Sequence, residues 1–213
     1  MLRVYTIPVS LYCAKLRILL RRKQLEWEEI RPPGGYGSDE YKTHVPSGNL
    51  PALMDGDLLI ADSEAIAEYL EECHPTPPTL PSNPLARARV RERGRFHDTR
   101  LEPAVRAMFS YLPGRASPPD GFITSQSAVV SARLAQLGHM LRDDDGAELT
   151  LGDCGLPVSF AWLDAMAPRM GLDIVWPEPV EAYRARLDAL PDVAAELADY
   201  APKLMAFLDE HEA

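Results

Sequence analysis

Two short runs carry the residues most able to hold a ligand. One is Asn49-Leu50-Pro51-Ala52-Leu53; the other, nine residues further on, is Asp62-Ser63-Glu64-Ala65-Ile66. The first reads as a strand entered through a proline. Proline cannot donate to a ladder, so it belongs at a first or edge position, and it leaves the backbone of Leu50 free to pair with something other than protein. A cis Leu50–Pro51 bond would aim that backbone outward. The second run reads as a helix start, where unpaired N–H groups and the Ser63 hydroxyl suit a carboxylate. A peptide-pairing edge beside a carboxylate cradle is chemistry for a small acidic peptide. Asp62 and Ser63 would also serve as plain helix caps, but the proline run beside them weights the pair toward a ligand.

The elements around these runs follow from pattern. Leu2–Ile7 reads as a buried strand, and Leu11–Arg22 as a helix with Leu16, Leu19 and Leu20 among basic residues. On that helix Lys15 and Arg17 are expected to be a solvated face. Leu25–Ile30 alternates as a strand, Arg31–Gly37 is a breaker loop, and Ser38 caps a short helix reaching His44. Asp55-Gly56-Asp57 turns a hairpin between Leu53-Met54 and Leu58-Leu59-Ile60. A helix then runs from Asp62 to about Cys73. The order βαβ then ββα predicts an α/β, thioredoxin-like unit with a four-stranded mixed sheet.

A proline-rich linker follows, with five prolines in His74–Pro84, a density that forbids helix and central strand. Beyond it strand signals nearly vanish. Leu85–Tyr111, Gly121–Leu141, Thr150–Met170, Pro179–Leu190 and Val193–Glu210 read as helices, with loops at 113–119 and 143–146. The expected division is residues 1–76 as the α/β domain, 77–85 as linker and 86–213 as an all-α domain. Thr150-Leu151-Gly152-Asp153 resembles a capping box that starts a core helix, with Leu149 before it as a staple. It is read as structural.

Composition narrows the partners. With 213 residues and 46% hydrophobic content the chain can bury a sizeable core. A net charge of −10 opposes binding to nucleic acid or an anionic membrane, both of which demand basic patches. No apolar run is long enough to span a bilayer. Met1–Tyr5 enters a strand pattern directly, without the order of a secretory leader. Cys13, Cys73 and Cys154 form neither a disulfide framework nor, with the five histidines, a metal spacing. A reducing cytoplasm and no metal are expected.

The Leu50-Pro51 step and the run Asp62-Ser63-Glu64-Ala65-Ile66-Ala67-Glu68-Tyr69-Leu70 together resemble the glutathione site of the soluble glutathione transferases. In that family an apolar-Pro step precedes the third strand, and an acidic-Ser pair opens a helix continuing Ala-Ile-x-x-Tyr-Leu. The resemblance extends over the whole chain, including the Thr150–Asp153 box. It implies a cytosolic homodimer with glutathione as cosubstrate, no tightly bound cofactor, and a small electrophile as second substrate. It also places Leu50 on the cysteinyl part, Asp62 and Ser63 on the γ-glutamyl end, and Asn49 and His44 near the glycyl carboxylate.

The family's chemistry is thiolate activation, by a donor at the end of the first strand or the start of the first helix. In the window Tyr5–Cys13, Ser10 is the first choice: it is a natural N-cap for a helix starting at Leu11 and resembles the serine of theta, zeta and tau members. Tyr5 is the runner-up, with core packing as its favoured reading. Cys13 is third; Ser10-Leu11-Tyr12-Cys13 is a redox C-x-x-C lacking its first cysteine, so dithiol exchange is disfavoured. The second substrate would lie between the domains, with Arg106, Met108, Phe109, Tyr111 and Trp162 as candidates for its wall. Arg87, Arg89, Arg91, Arg93 and Arg95 wrap most of one helix, and some are expected to face a dimer partner. Three other readings stay open. One is a zeta-like isomerase, weakened because Ser10-Leu11-Tyr12 replaces the zeta Ser-Ser-Cys. Another is peroxide reduction or dehalogenation by the same thiolate. The third is a non-enzymatic relative serving as scaffold.

Overall fold

The alternation of Leu2 and Val4 with exposed Arg3 places β1 (Leu2–Tyr5) with its apolar side on the core. In the computed structural model, which describes residues 1–112, 114–143, 146 and 148–210, β1 is a central strand. It pairs in parallel with β2 (Trp27–Ile30), Leu2 opposite Trp27, and antiparallel with β3 (Ala52–Asp55), Val4 opposite Leu53. The Asp55-Gly56 turn, with Gly56 at φ +57°, returns the chain as β4 (Leu58–Ala61). The order is β2-β1-β3-β4. A parallel pair needs a crossover, and α1 (Leu11–Arg22) supplies it. Next come α2 (Asp39–His44), capped by Ser38 as expected, and α3 (Ser63–Cys73).

Both first strands are shorter than the apolar runs suggested. The Leu25 N–H bonds the Leu20 carbonyl, so Leu25 closes the end of α1 and does not start β2. After Tyr5 the chain leaves the sheet to form the loop that carries Ser10. Leu50–Pro51 is cis, as is Thr76–Pro77.

The rest of the described chain is helical: α4 (Pro84–Phe96), α5 (Glu102–Arg106), α6 (Phe122–Met140), α7 (Leu156–Met170), α8 (Glu178–Asp188) and α9 (Pro191–Asp209). Pro84 is the first residue of α4, inside the stretch read as linker; at that position its missing N–H costs nothing and its fixed φ suits the helix. The long helix expected over Leu85–Tyr111 is broken into α4, a π-helical turn His97–Leu101, α5, and a 3-10 turn Phe109–Tyr111. Of the expected loops, Pro113, Asp144 and Asp145 lie outside the described residues.

The box at Thr150 forms, but α7 does not start on it. The Thr150 N–H and hydroxyl donate to Asp153 Oδ2 at 2.8 and 2.7 Å, and five residues of turn intervene before Leu156. The carboxylate also takes Arg93 Nε at 2.7 Å and the Tyr183 hydroxyl at 2.5 Å. A Cβ at Gly152 would lie 2.2 Å from the Val90 carbonyl oxygen, so the turn is pressed on α4 and only glycine fits there. The box therefore ties α4 and α8 to the start of α7.

One apolar core runs through both parts of the molecule, from Leu16 and Ile18 of α1 to Trp162 of α7 and Leu204 of α9. A smaller cluster on the other side of the sheet holds Tyr5, Cys13, Tyr41, Val45, Leu50 and Ala52. Among the described residues no helix is long and apolar enough to cross a membrane.

Candidate active site

A cleft of about 700 Å³ opens between the sheet and the helical part. Ser10, Asn49, Leu50, Asp62 and Ser63 line its sheet side; Arg106, Phe109 and Trp162 line the other. Eight of the residues singled out in the sequence thus meet in one cavity, although Ser10 and Trp162 stand far apart along the chain.

Ser10 is the N-cap of α1, with extended backbone (φ −69°, ψ 122°) and Oγ accepting the Cys13 N–H at 3.3 Å. Its lone pairs serve the cap, so its proton is the part it can offer a ligand. The N-terminal end of α1 adds positive potential at the same place, favouring a negative sulfur.

Asp62 caps α3: Oδ1 accepts the Glu64 and Ala65 N–H groups at 2.9 and 3.0 Å, and its carbonyl takes the Ile66 N–H. The Ser63 N–H, first in the helix, is left for a ligand. Asp62 therefore caps the helix, as the plain reading held, and faces the cavity as well. Its φ of +110° is a strained position for a non-glycine residue, of order 1–3 kcal/mol. That strain aims the Ser63 peptide and side chain at the cleft.

Leu50 lies just before β3, outside the ladder, with its chain set by the cis bond to the buried Pro51. The Tyr41 hydroxyl donates to the Asn49 carbonyl at 2.9 Å and fixes the approach to this edge.

Other expected residues lie elsewhere. Tyr5 is buried at 8% exposure, edge-on to Tyr41 with centroids 5.3 Å apart; β1 ends there and turns its ring into the smaller cluster. Cys13 is 1% exposed, and burial pushes its thiol pKa up, so it is no nucleophile. Pro51 acts through backbone shape and does not line the cleft, and His44 is exposed at the end of α2, outside it. Met108 is fully buried, and Tyr111 packs on Phe122 with centroids 4.5 Å apart; the break of the long helix turns both away. Arg91 pairs with Glu68 of its own chain at 2.6 Å, and Arg93 is buried on Asp153.

The largest correction concerns Lys15 and Arg17, which are 3% and 6% exposed. Lys15 Nζ donates to Glu64 Oε2 at 2.8 Å, to both oxygens of Asp98 at 3.0 and 2.9 Å, and to Ser63 Oγ at 3.4 Å. Burial opposes the ammonium, but the two carboxylates outweigh it and raise its pKa. Asp98 also lines the cleft. Burial alone would raise its carboxyl; hydrogen bonds and charge from His97 and Lys15 bring it down to about 2. Behind it, His97 Nδ1 is 2.8 Å from Asp98 Oδ1 and Nε2 is 2.9 Å from Ser159 Oγ. Arg17 sends Nε to Glu196 Oε1 at 2.6 Å. A signal was present in the sequence: Lys15 stands four residues from Leu11 and from Leu19, and Arg17 four from Cys13, so each shares a face with buried positions.

The helical side of the cleft was only partly foreseen. Phe207, Arg95, Glu102 and Arg115 join it. Phe109 lies over Trp162 with centroids 4.4 Å apart. Arg106 pairs with Glu102 and spreads over the Tyr12 and Phe109 rings. These residues come from separate helices and share no motif. Among the described residues no cluster of His, Cys, Asp and Glu is arranged to hold a metal ion.

Residues 4–78 match the family described as glutathione S-transferase, N-terminal domain. Over 157 residues the chain is 28% identical to a stringent starvation protein A homolog of Coxiella burnetii, covering 71% of this chain and 70% of that one. Over 97 residues it is 40% identical to a maleylacetoacetate isomerase of Pseudomonas aeruginosa, covering 42% of this chain and less than half, 45%, of the isomerase. A solved tau-class glutathione S-transferase of mango, Mangifera indica, superposes with a TM-score of 0.82 at 21% identity, over 100% of this chain and 98% of that one.

Proposed function

We infer that this chain, which belongs to the soluble glutathione S-transferase family, binds glutathione as cosubstrate and converts its thiol to a thiolate that attacks a small electrophile. The observation that carries this reading is the convergence of two helix N-termini, at Ser10 and at Ser63, on one cleft with the unpaired edge at Leu50 between them. Ser63 would take the γ-glutamyl carboxylate with its N–H and hydroxyl. Asp62 and Asp98 would face the ammonium, Leu50 would pair with the cysteinyl peptide, and Asn49 would lie toward the glycyl end. Ser10 would then donate to sulfur. A free thiol has a pKa of about 8.5, so a donor and a helix terminus both increase the thiolate fraction at neutral pH. In a displacement the sulfur–carbon bond forms, the leaving group departs with its electron pair, and the thiol proton passes to solvent.

Phe109, Trp162 and Phe207 suit a planar, apolar electrophile, and Arg106 and Arg115 at the same wall suit an anionic substituent on it. This arginine pair, with the stretch similar to a maleylacetoacetate isomerase, supports isomerisation as the second reading; Ser10-Leu11-Tyr12 remains its departure from the zeta pattern. The similarity to a stringent starvation protein A homolog keeps a non-enzymatic role as the third. A homodimer in the cytoplasm is part of the proposal, and exposed Leu85 at the start of α4 supports a partner on that face. Its mass in solution tests this.

Calorimetric titration with reduced glutathione separates the two enzyme readings from the scaffold. Saturable binding of one per chain is expected. In Ser10→Ala the bound thiol should titrate at higher pH and turnover should fall about 10²-fold, the usual loss for one donor to a developing anion. Absence of binding at millimolar glutathione would sink the enzyme reading and leave the scaffold.

A further inference from the structure

The loop that carries Ser10 has little to hold it from within. Between β1 and α1 its one internal backbone bond is Ser10 N–H to the Ile7 carbonyl, at 3.3 Å. The two carbonyls just before Ser10 are instead held by side chains, and both lead to α9, at the far end of the sequence. The Tyr200 hydroxyl donates to the Val9 carbonyl at 2.9 Å. Arg17 donates to the Pro8 carbonyl at 3.4 Å while its Nε is held at 2.6 Å by Glu196, one turn before Tyr200 on α9. Tyr200 and Glu196 are fully buried, so both anchors on α9 are fixed in the core.

The same Tyr200 oxygen accepts the Trp162 indole N–H at 2.7 Å. Trp162 lines the same cleft as Ser10. One buried hydroxyl therefore joins the wall of the electrophile compartment to the peptide next to the thiol-activating serine. We propose that Tyr200 and Glu196 are positioning residues for Ser10, and that Tyr200 makes the placement of Ser10 depend on the placement of Trp162. This rests on the reading of Ser10 above. It assigns a function to α9 beyond filling the core: the helical part completes the activating loop of the sheet part. A serine that must point its proton at sulfur depends on its placement, and a misplacement of about 1 Å costs up to about a hundredfold in rate.

The test is Tyr200→Phe, which keeps the ring and removes the hydroxyl, leaving the Val9 carbonyl and the Trp162 N–H without their partner. The thiol pKa is read from ultraviolet thiolate absorbance in the complex with glutathione alone. It should rise by about one unit, with turnover down roughly tenfold. The glutathione dissociation constant should stay within about twofold, because the edge at Leu50 and the cradle at Ser63 are untouched. Trp162→Phe keeps an aromatic ring in the wall but removes the N–H donor together with the second ring of the indole. It should move the thiol pKa the same way by less, since Tyr200 still reaches Val9. A purely structural role for Tyr200 would lower the melting temperature and leave thiol pKa and turnover unchanged, and that result overturns the proposal. If Tyr200→Phe does not fold, Trp162→Phe decides: a raised thiol pKa at unchanged glutathione affinity supports the link, and an unmoved one refutes it. Ser10→Ala in parallel keeps the two ideas apart. If it leaves the thiol pKa unmoved, the reading of Ser10 itself is wrong. If it raises the pKa and neither ring variant does, only the role of α9 falls.

Discussion

Lys15 and Arg17 sit two residues apart on the same helix, are nearly equally buried, and serve opposite ends of one cleft. Lys15 gathers Glu64, Asp98 and Ser63 at the end where the start of α3 faces the cavity. Arg17 gathers Glu196 and the Pro8 carbonyl at the end where Ser10 stands. The chemistry of the two cations suits the division. A lysine ammonium is a compact charge on a flexible stem and can satisfy three donors toward convergent oxygens; a guanidinium is a planar fork that bridges groups lying apart. The comparison teaches that α1 is more than a crossover between two parallel strands. One side of it orders the start of α3 at Ser63, and another ties the loop before Ser10 to the helical part.

If that division holds, damage at one end should leave the other intact. The largest effect is expected from Glu196→Ala, which takes from buried Arg17 its closest counter-charge and leaves it only the more distant Glu29, at 3.5 Å. Removing one partner of a buried ion pair costs about 3–5 kcal/mol, measured as the shift of the urea unfolding curve. A loss under 1 kcal/mol would mean that water reaches Arg17.

Asp98→Asn comes next. The Asp98 carboxyl lies at about 2 in the folded protein against about 3.9 for an unperturbed aspartate, so the native charge contributes roughly 2–3 kcal/mol at neutral pH. Because the folded value is depressed, this contribution is present above about pH 4 and is lost as pH falls through about 2. The stability gap between the native protein and Asp98→Asn should therefore close over that window. A gap independent of pH would exclude charge as its source.

Lys15→Met should weaken glutathione binding about tenfold, about 1.4 kcal/mol, through the loss of order at Ser63 and Asp98. The thiol pKa of whatever glutathione is bound should change little, since Ser10 lies at the other end. A variant that bound normally but lost its thiolate would reverse the assignment of the two ends. The smallest effect belongs to Tyr5→Phe: its hydroxyl is outside the cleft, so turnover should stay within about twofold. A large loss there would move the activating role from Ser10 to Tyr5.

Much of this was legible before any coordinates. The bounds of α1 and α2 agree with those read from apolar spacing and from Ser38 as cap, and the hairpin turn at Gly56 stands where the Asp-Gly pair put it. Ser10, Leu50, Asp62 and Ser63, which line one cleft, stood out because each depends on local backbone chemistry: a cap, an unpaired edge, a helix terminus. Tyr5 and Cys13 were ranked below Ser10 on packing grounds, and both are buried in the smaller cluster. What failed to show was long-range. Basic residues in α1 read as solvated because their partners, Glu64, Asp98 and Glu196, lie 49, 83 and 179 residues away. The break of the helix at His97 was hidden because a π-helical turn has the composition of the helix around it, and the buried ring of His97 packs so tightly that a Cβ at Gly155 would lie 2.3 Å from it.

The sequence by itself determined the elements, the order in which sheet and helices alternate, and the residues whose own backbone setting makes them donors or caps. Each of those depends on neighbours within a few positions, where spacing and side-chain type are sufficient information. Only the tertiary structure decided which charges are buried, which aromatic rings form the far wall, and that α9 reaches back to the loop before Ser10. Those outcomes depend on which faces meet when α1, α7 and α9 close on one core. A buried charge is tolerated only where such closure brings its counter-charge to it.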